Sequence, residues 1–112
     1  MTNIKIRKNP STRLIRVMAE GHAGTDAPGK DTVCAAISAL MYGYAKEVAM
    51  LDTKHFTYRA VEYSMHDGHA HVDAVCKDER TYKRVLNHLA PIERSLEMLA
   101  MENPQAVSLH QS

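Results

Sequence analysis

The stretch 55-HFTYRAVEYSMHDGHAHVDAVC-76 alternates apolar and polar side chains on both sides of the dipeptide Asp67-Gly68. An Asp-Gly pair is typical of a two-residue type I′ turn, in which both residues need a positive φ. The pattern therefore predicts a β-hairpin with strands at 55–65 and 69–76. The cross-strand pairs expected from this turn are His66 with His69, Ser64 with His71, Glu62 with Asp73, Met65 with Ala70, Tyr63 with Val72 and Val61 with Ala74. One face of the hairpin is then apolar and the other polar, as in a sheet that helices cover on one side.

The segments around this hairpin complete the predicted fold. Residues 3–20 alternate on both sides of an Asn-Pro-Ser turn and predict a first hairpin. Residues 32–51 carry apolar side chains at three-and-four spacing, which predicts a helix. A second helix is expected from near Asp78, with a kink or short break at Pro91 and a frayed tail after residues 101–105. We therefore predict an α+β domain of two layers in the order ββαββα, with a four-stranded, largely antiparallel sheet and two helices on one face.

The composition predicts one domain, residues 1–112, with an aliphatic and Met-rich core, because the chain has seven Met, one Phe and no Trp. The net charge of +1 does not indicate a nucleic-acid or membrane partner. No apolar run approaches the length of about 18 residues that a membrane span needs. The N-terminus alternates where an export signal would be apolar, so we expect a cytoplasmic protein whose two cysteines are reduced thiols.

Candidate chemistry is concentrated in 21-GHAGTDAPGKDTVC-34, which contains three of the five glycines. If Asp31 is the N-cap of the first helix, Cys34 lies in the first turn, where unpaired amides and the helix dipole favour a thiolate. The dipole contributes only about 0.3–1 kcal/mol at exposed sites, so a neighbouring imidazolium is also needed. His22 ends the preceding strand and can reach the start of the next helix. Glycines in the intervening loop allow close approach of a substrate and predict a mobile loop at 23–30.

Cys34 and His22 also have a non-catalytic interpretation. A Cys in the first turn of a helix is often an inert small hydrophobic residue, and a His beside Gly is often a solvated loop residue. A binding or assembly module whose Gly-rich loop holds a partner peptide is therefore the alternative to an enzyme.

The motifs GHAG at 21–24 and GKDTVCAAISAL at 29–40 resemble the signature of the ribosomal-processing cysteine protease (Prp) family. The resemblance implies a Cys34–His22 dyad with Asp31 and Ser38 as supporting residues, and no cofactor. It also implies a homodimer that removes the N-terminal extension of a protein of the bacterial large ribosomal subunit, cutting after an aromatic pair near a Gln. In a phage-encoded member the substrate would be a virion or scaffold protein. The substrate loop would include Gly21, Ala23, Gly24 and Gly29.

The two supporting residues, Asp31 and Ser38, each have two possible roles. Asp31 either caps the helix or orients His22, and capping is favoured because a carboxylate near the sulfur would oppose thiolate formation. Ser38 lies one turn after Cys34 on the same helix face. Its hydroxyl either forms a hydrogen bond near the site or simply donates to a backbone carbonyl.

Two other clusters are not favoured as functional sites. His66, His69 and His71 lie near Glu62 and Asp73 and would suit zinc, but a solvent-facing hairpin or dimer surface explains them without a metal. The basic residues of the first hairpin could contact RNA if the substrate sits on a ribosome, but a solvated strand face without direct contact to nucleic acid is favoured; they are Lys5, Arg7, Lys8, Arg13 and Arg16. Cys76 is predicted on the apolar face as a core thiol.

Overall fold

The computed structural model describes residues 1–21, 32–64 and 68–112. Within these ranges the chain forms strands and helices in a single sheet-and-helix unit. Their order is β1 (Thr2–Asn9), β2 (Leu14–Glu20), α1 (Thr32–Met50), β3 (Phe56–Ser64), β4 (His69–Cys76), α2 (Glu79–Glu102) and β5 (Val107–Gln111), with a 3₁₀ turn at Thr53–His55 before β3. The α+β class, the two helices and both hairpins are confirmed.

The sheet has five strands where the sequence predicted four. Its strand order is β3-β4-β2-β1-β5, antiparallel except that β5 lies parallel to β1. The extra strand comes from the tail that was predicted to fray. It is held in place by backbone bonds from Thr2 N to Ala106 O (2.8 Å) and from Ser112 N to Ile6 O (2.9 Å). Val107 is buried, so the tail contributes to the core as well as to the sheet.

The register of the β3–β4 hairpin differs from the predicted one by two residues. Ser64 pairs with His69, and Glu62 pairs with His71. The connection therefore spans four residues, 65–68, and is longer than a two-residue turn. Gly68 does have a positive φ of 61°, as predicted. A shift of two residues keeps every side chain on its predicted face, because side chains in a strand alternate with a period of two.

One face of the sheet packs against both helices. The buried strand residues follow the alternation of the sequence and meet the apolar stripe of α1 and α2. The core side chains that are almost fully buried are Tyr44, Ile4, Ile6, Ile15, Met41, Leu89, Leu96, Val17, Val48, Val72, Val85 and Cys76. The opposite face carries exposed polar side chains of β1 such as Asn3, Lys5 and Arg7. We call this surface the open face.

The second helix begins where the sequence predicts. Asp78 is its N-cap, and its carboxylate accepts a hydrogen bond from Thr81 N at 2.8 Å. The helix continues through Pro91 to Glu102, so of the predicted kink or short break the break is wrong. Buried Glu93 joins this helix to the sheet, since it accepts hydrogen bonds from Lys8 Nζ at 2.6 Å and from Gln111 Nε2 at 2.9 Å. In the described residues, neither helix has the length and apolar character needed to cross a bilayer.

Candidate active site

Cys34 is the third residue of α1 and is half-buried. It lines a small pocket of about 30 Å³ between the start of this helix and the end of the sheet where β2 and β3 finish. The described residues that line the pocket are Thr2, Ala19, Gly21, Cys34, Ile37, Ser38, Met41, Tyr63, Ser64, Gly68, His69 and Ala70. The backbone amides of a first helical turn have no partners within the helix and favour negative charge. A thiolate or an oxyanion at this pocket would therefore be stabilised electrostatically.

Gly21 lies at the edge of the same pocket and requires glycine. Its φ is +91°, and a Cβ built on it would lie 2.5 Å from the carbonyl oxygen of Met1. Its own amide donates to Gly68 O at 2.9 Å, which ties the end of β2 to the β3–β4 connection. Gly21 therefore sets the direction in which the chain leaves the sheet toward the next residue, His22.

Ser38 also lines the pocket, one turn after Cys34. Its backbone carbonyl accepts a hydrogen bond from the hydroxyl of Tyr63 at 3.0 Å. The ring of Tyr63 packs edge-on against Tyr42, with 5.4 Å between centroids. Tyr63 thus fastens the first half of α1 to β3 and fixes the position of the cysteine over the sheet.

Cys76 occupies a very different environment. It is 1% exposed on the core face of β4, as predicted. Burial raises the pKa of the Cys76 thiol to about 11, with a smaller contribution from the nearby Asp78 carboxylate. At neutral pH this thiol is protonated and inaccessible, so it is not suited to nucleophilic chemistry.

Several sequence-predicted site residues lie outside the described residues. These are His22, Ala23, Gly24, Gly29 and Asp31, together with His66 of the hairpin. The dyad geometry, the helix cap at Asp31 and the mobile loop therefore stay predictions. Of the predicted site residues that the structure describes, Gly21, Cys34 and Ser38 lie together at one pocket.

Sequence reasoning missed most of the pocket lining, including Thr2, Tyr63 and Gly68. The clearest available signal was Tyr63, because a phenol predicted on the apolar face of a strand needs a hydrogen-bond partner when it is buried. Thr2 had no such signal, since its place beside Gly21 follows from the pairing of β1 with β2. Its hydroxyl donates to Gly21 O at 3.4 Å.

Comparison with known proteins assigns the chain to a family. The family model described as "Cysteine protease Prp" matches residues 1–108. The chain belongs to the Prp cysteine protease family. As a member of this family it is a cysteine protease. The prediction of an enzyme is therefore confirmed, and the alternative of a non-catalytic binding module is dropped.

Solved structures agree on the fold. The ribosomal processing protease Prp from S. aureus, in complex with a covalently linked product peptide, is 23% identical with a TM-score of 0.75, and each chain covers 100% of the other. The same S. aureus protease with a substrate peptide is 21% identical with a TM-score of 0.72, again over 100% of both chains. SMU.848 from Streptococcus mutans is 20% identical with a TM-score of 0.67, over 100% of this chain and 96% of that one. No curated protein matches the chain.

Proposed function

We propose that Cys34 is the nucleophile of this Prp family protease and that His22 is its general base and acid. The observation that carries the proposal is the contrast between the only two cysteines of the chain. A cysteine protease needs an accessible thiolate. Cys76 is 1% exposed with a raised pKa, whereas Cys34 lines a pocket at a helix start.

The support for His22 is its place in the chain. It directly follows Gly21, which lines the same pocket as Cys34, so a single peptide unit separates it from the site. Among the described residues, His69 is the histidine that lines this pocket. Its two ring nitrogens face Glu20 at 3.6 Å and Glu62 at 3.8 Å, both on the open face. An imidazole held between those carboxylates is poorly placed to serve the sulfur on the helix side.

The proposed reaction is peptide hydrolysis through a thioester. The Cys34 thiolate forms a bond to the scissile carbonyl carbon, and amides at the start of α1 stabilise the oxyanion. His22 then protonates the leaving amine as the C–N bond breaks. Water, deprotonated by His22, attacks the thioester and releases the acid and the thiol. Asp31 caps the helix, and the Ser38 carbonyl, held by Tyr63, keeps the first turns of α1 in place.

The proposed substrate is a large-subunit ribosomal protein that carries a cleavable N-terminal extension. The support is the family together with the S. aureus relative, a ribosomal processing protease that was solved with substrate and product peptides. In a phage-encoded setting the same chemistry would act on a virion or scaffold protein.

The test is cleavage of the precursor ribosomal protein, and of virion proteins where the genome encodes them, followed by mass spectrometry. Wild type and Cys76→Ser should both cut, Cys34→Ser should not, and His22→Ala should be slower by about 10²–10⁴-fold. His69→Ala serves as the matched histidine control and should retain most of the activity. Cleavage by Cys34→Ser at the wild-type rate would contradict the assignment of the nucleophile, and equal losses in His22→Ala and His69→Ala would contradict that of the base.

We also propose that the protein acts in the bacterial cytoplasm as a two-fold homodimer and without direct contact to nucleic acid. Three of the five basic residues in the first hairpin have protein partners: Lys8 contacts Glu93, Arg16 contacts Asp73, and Arg13 donates to the carbonyls of residues 76 and 77. These three basic side chains therefore bind groups of the protein itself.

The proposed dimer is tested by light scattering, which should give twice the mass of the 12.5 kDa chain. A monomer mass at tens of micromolar would count against the dimer.

A further inference from the structure

The polar ends of β2, β3 and β4 form a cluster on the open face that the protease reaction does not use. Glu62, His69 and His71 each place one potential ligand atom within 4.8 Å of those of the other two. Strand pairing fixes this arrangement, since His69 and His71 are two residues apart on β4 and Glu62 is the direct partner of His71 on β3. We propose that Glu62, His69 and His71 bind a divalent first-row metal ion such as Zn²⁺.

The spacing of the three ligands is close to that of a metal site. Zn–N and Zn–O distances of about 2.0–2.2 Å place neighbouring ligands of a tetrahedral ion about 3.4 Å apart. Nε2 of His69 and Oε2 of Glu62 are 3.8 Å apart, longer than a hydrogen bond and short enough for one ion to bridge them. Two imidazoles and one carboxylate, with the remaining positions open to water, suit Zn²⁺ and related ions.

Further carboxylates lie behind both histidines. Oε1 of Glu20 is 3.6 Å from Nδ1 of His69, on the side of the ring that faces away from Glu62. Oδ1 of Asp73 is 3.0 Å from Nε2 of His71. That nitrogen is buried and, among the described residues, makes no hydrogen bond despite its short distance to Asp73. A carboxylate beside the second ring nitrogen is a common companion of a metal-binding histidine, because it can orient the ring.

The charges of the cluster favour a cation. Three carboxylates, those of Glu20, Glu62 and Asp73, lie around the two imidazoles. Within the part of the chain that the structure describes, the basic side chain that contacts them is Arg16, bound to Asp73 at 2.9 Å. The imidazole of His69 lies between two carboxylates without a hydrogen bond to either, since both contacts exceed 3.5 Å. A bound cation would satisfy these groups together and would join β3 to β4 beside Gly68, which borders the Cys34 pocket.

Zinc titration by calorimetry tests the proposal, and the full chain carrying Cys34→Ser should be used so that the pocket thiol does not contribute. After treatment with a chelator, this protein should bind one Zn²⁺ and gain thermal stability on binding. Adding His69→Ala or His71→Ala should weaken binding at least about tenfold, and Glu62→Gln should do so by a similar factor. His110→Ala, which removes an exposed histidine of β5, is the matched control and should bind as tightly as its parent.

Co²⁺ provides an independent readout, because its visible absorption should appear in the Cys34→Ser protein and disappear with His71→Ala. All three ligands are at least partly exposed, so these variants should fold, which circular dichroism checks. Absence of Zn²⁺ binding to the Cys34→Ser protein would overturn the proposal. So would binding that is unchanged by both His69→Ala and His71→Ala.

Discussion

Gly21 shows how a single residue positions the candidate site. Its left-handed backbone and its close approach to Met1 leave no room for a side chain. The same residue ends β2 and bonds to Gly68, so two chain segments at the pocket depend on it. The first glycine of the GHAG motif therefore has a structural role, which is separate from any chemical role of the histidine that follows.

Replacement of Gly21 by alanine should destabilise the protein and slow cleavage. A Cβ at a φ of +91°, 2.5 Å from the Met1 oxygen, forces the backbone to move, at a cost of about 1–3 kcal/mol. Gly43→Ala is the matched control, because Gly43 is exposed in α1 with nothing within 4 Å of a built Cβ. It should stabilise the helix by about 0.5–1 kcal/mol. Urea unfolding of both variants provides the test, and equal effects from the two would contradict the requirement for glycine at position 21.

The Cys76 thiol should make stability depend on alkaline pH. Its pKa is raised from 9.0 to about 11 in the folded protein, so the folded state holds this proton more tightly than the unfolded state does. The resulting stability is fully present below about pH 9 and is lost as the pH rises toward 11. The loss amounts to about 2–3 kcal/mol. Urea unfolding at intervals across this range should show a steeper decline for wild type than for Cys76→Ala, and parallel curves would refute the role of the thiol.

At the scale of elements, the sequence predicted the helices and strands that have a regular pattern of apolar residues. It missed the strand whose pairing partner lies far away in the chain. Alternation predicted both hairpins, three-and-four spacing predicted both helices, and Asp78 was expected near the start of α2. The tail was missed because Val107 to Gln111 is only five residues long and pairs in parallel with β1, at the other end of the chain. The hairpin register was missed because an Asp-Gly pair fits a four-residue connection as well as a two-residue turn.

Removal of β5 should destabilise the whole domain. A chain that ends at Asn103 loses the pairing with β1, the burial of Val107 and the bonds from Gln111 to Glu93 and Glu97. The new edge strand, β1, then exposes unpaired backbone groups. We expect a clear fall in the melting temperature, measured by circular dichroism. Met101→Ala, which changes a side chain that is 77% exposed, is the control and should shift stability by no more than about 0.5 kcal/mol.

At the scale of the whole molecule, the site is assembled from segments that no local pattern relates. Cys34 and Ser38 could be predicted from helix spacing, and Gly21 from its motif, but Thr2, Tyr63 and Gly68 join them only through the sheet. The same holds for the open face, where Glu62, His69 and His71 meet because β3 and β4 pair in one particular register. The Cys34 pocket and the open-face cluster are therefore neighbours in the fold, and His69 belongs to both.

Cys34, and not Cys76, is the thiol that we propose attacks the peptide. The most direct test is to treat the protein at neutral pH with less than one equivalent of a small alkylating agent and to locate the label by peptide mapping. We expect nearly all of the label on Cys34 and none on Cys76, with slower labelling of Cys34 in His22→Ala. Equal labelling of the two cysteines, or preferential labelling of Cys76, would contradict the account.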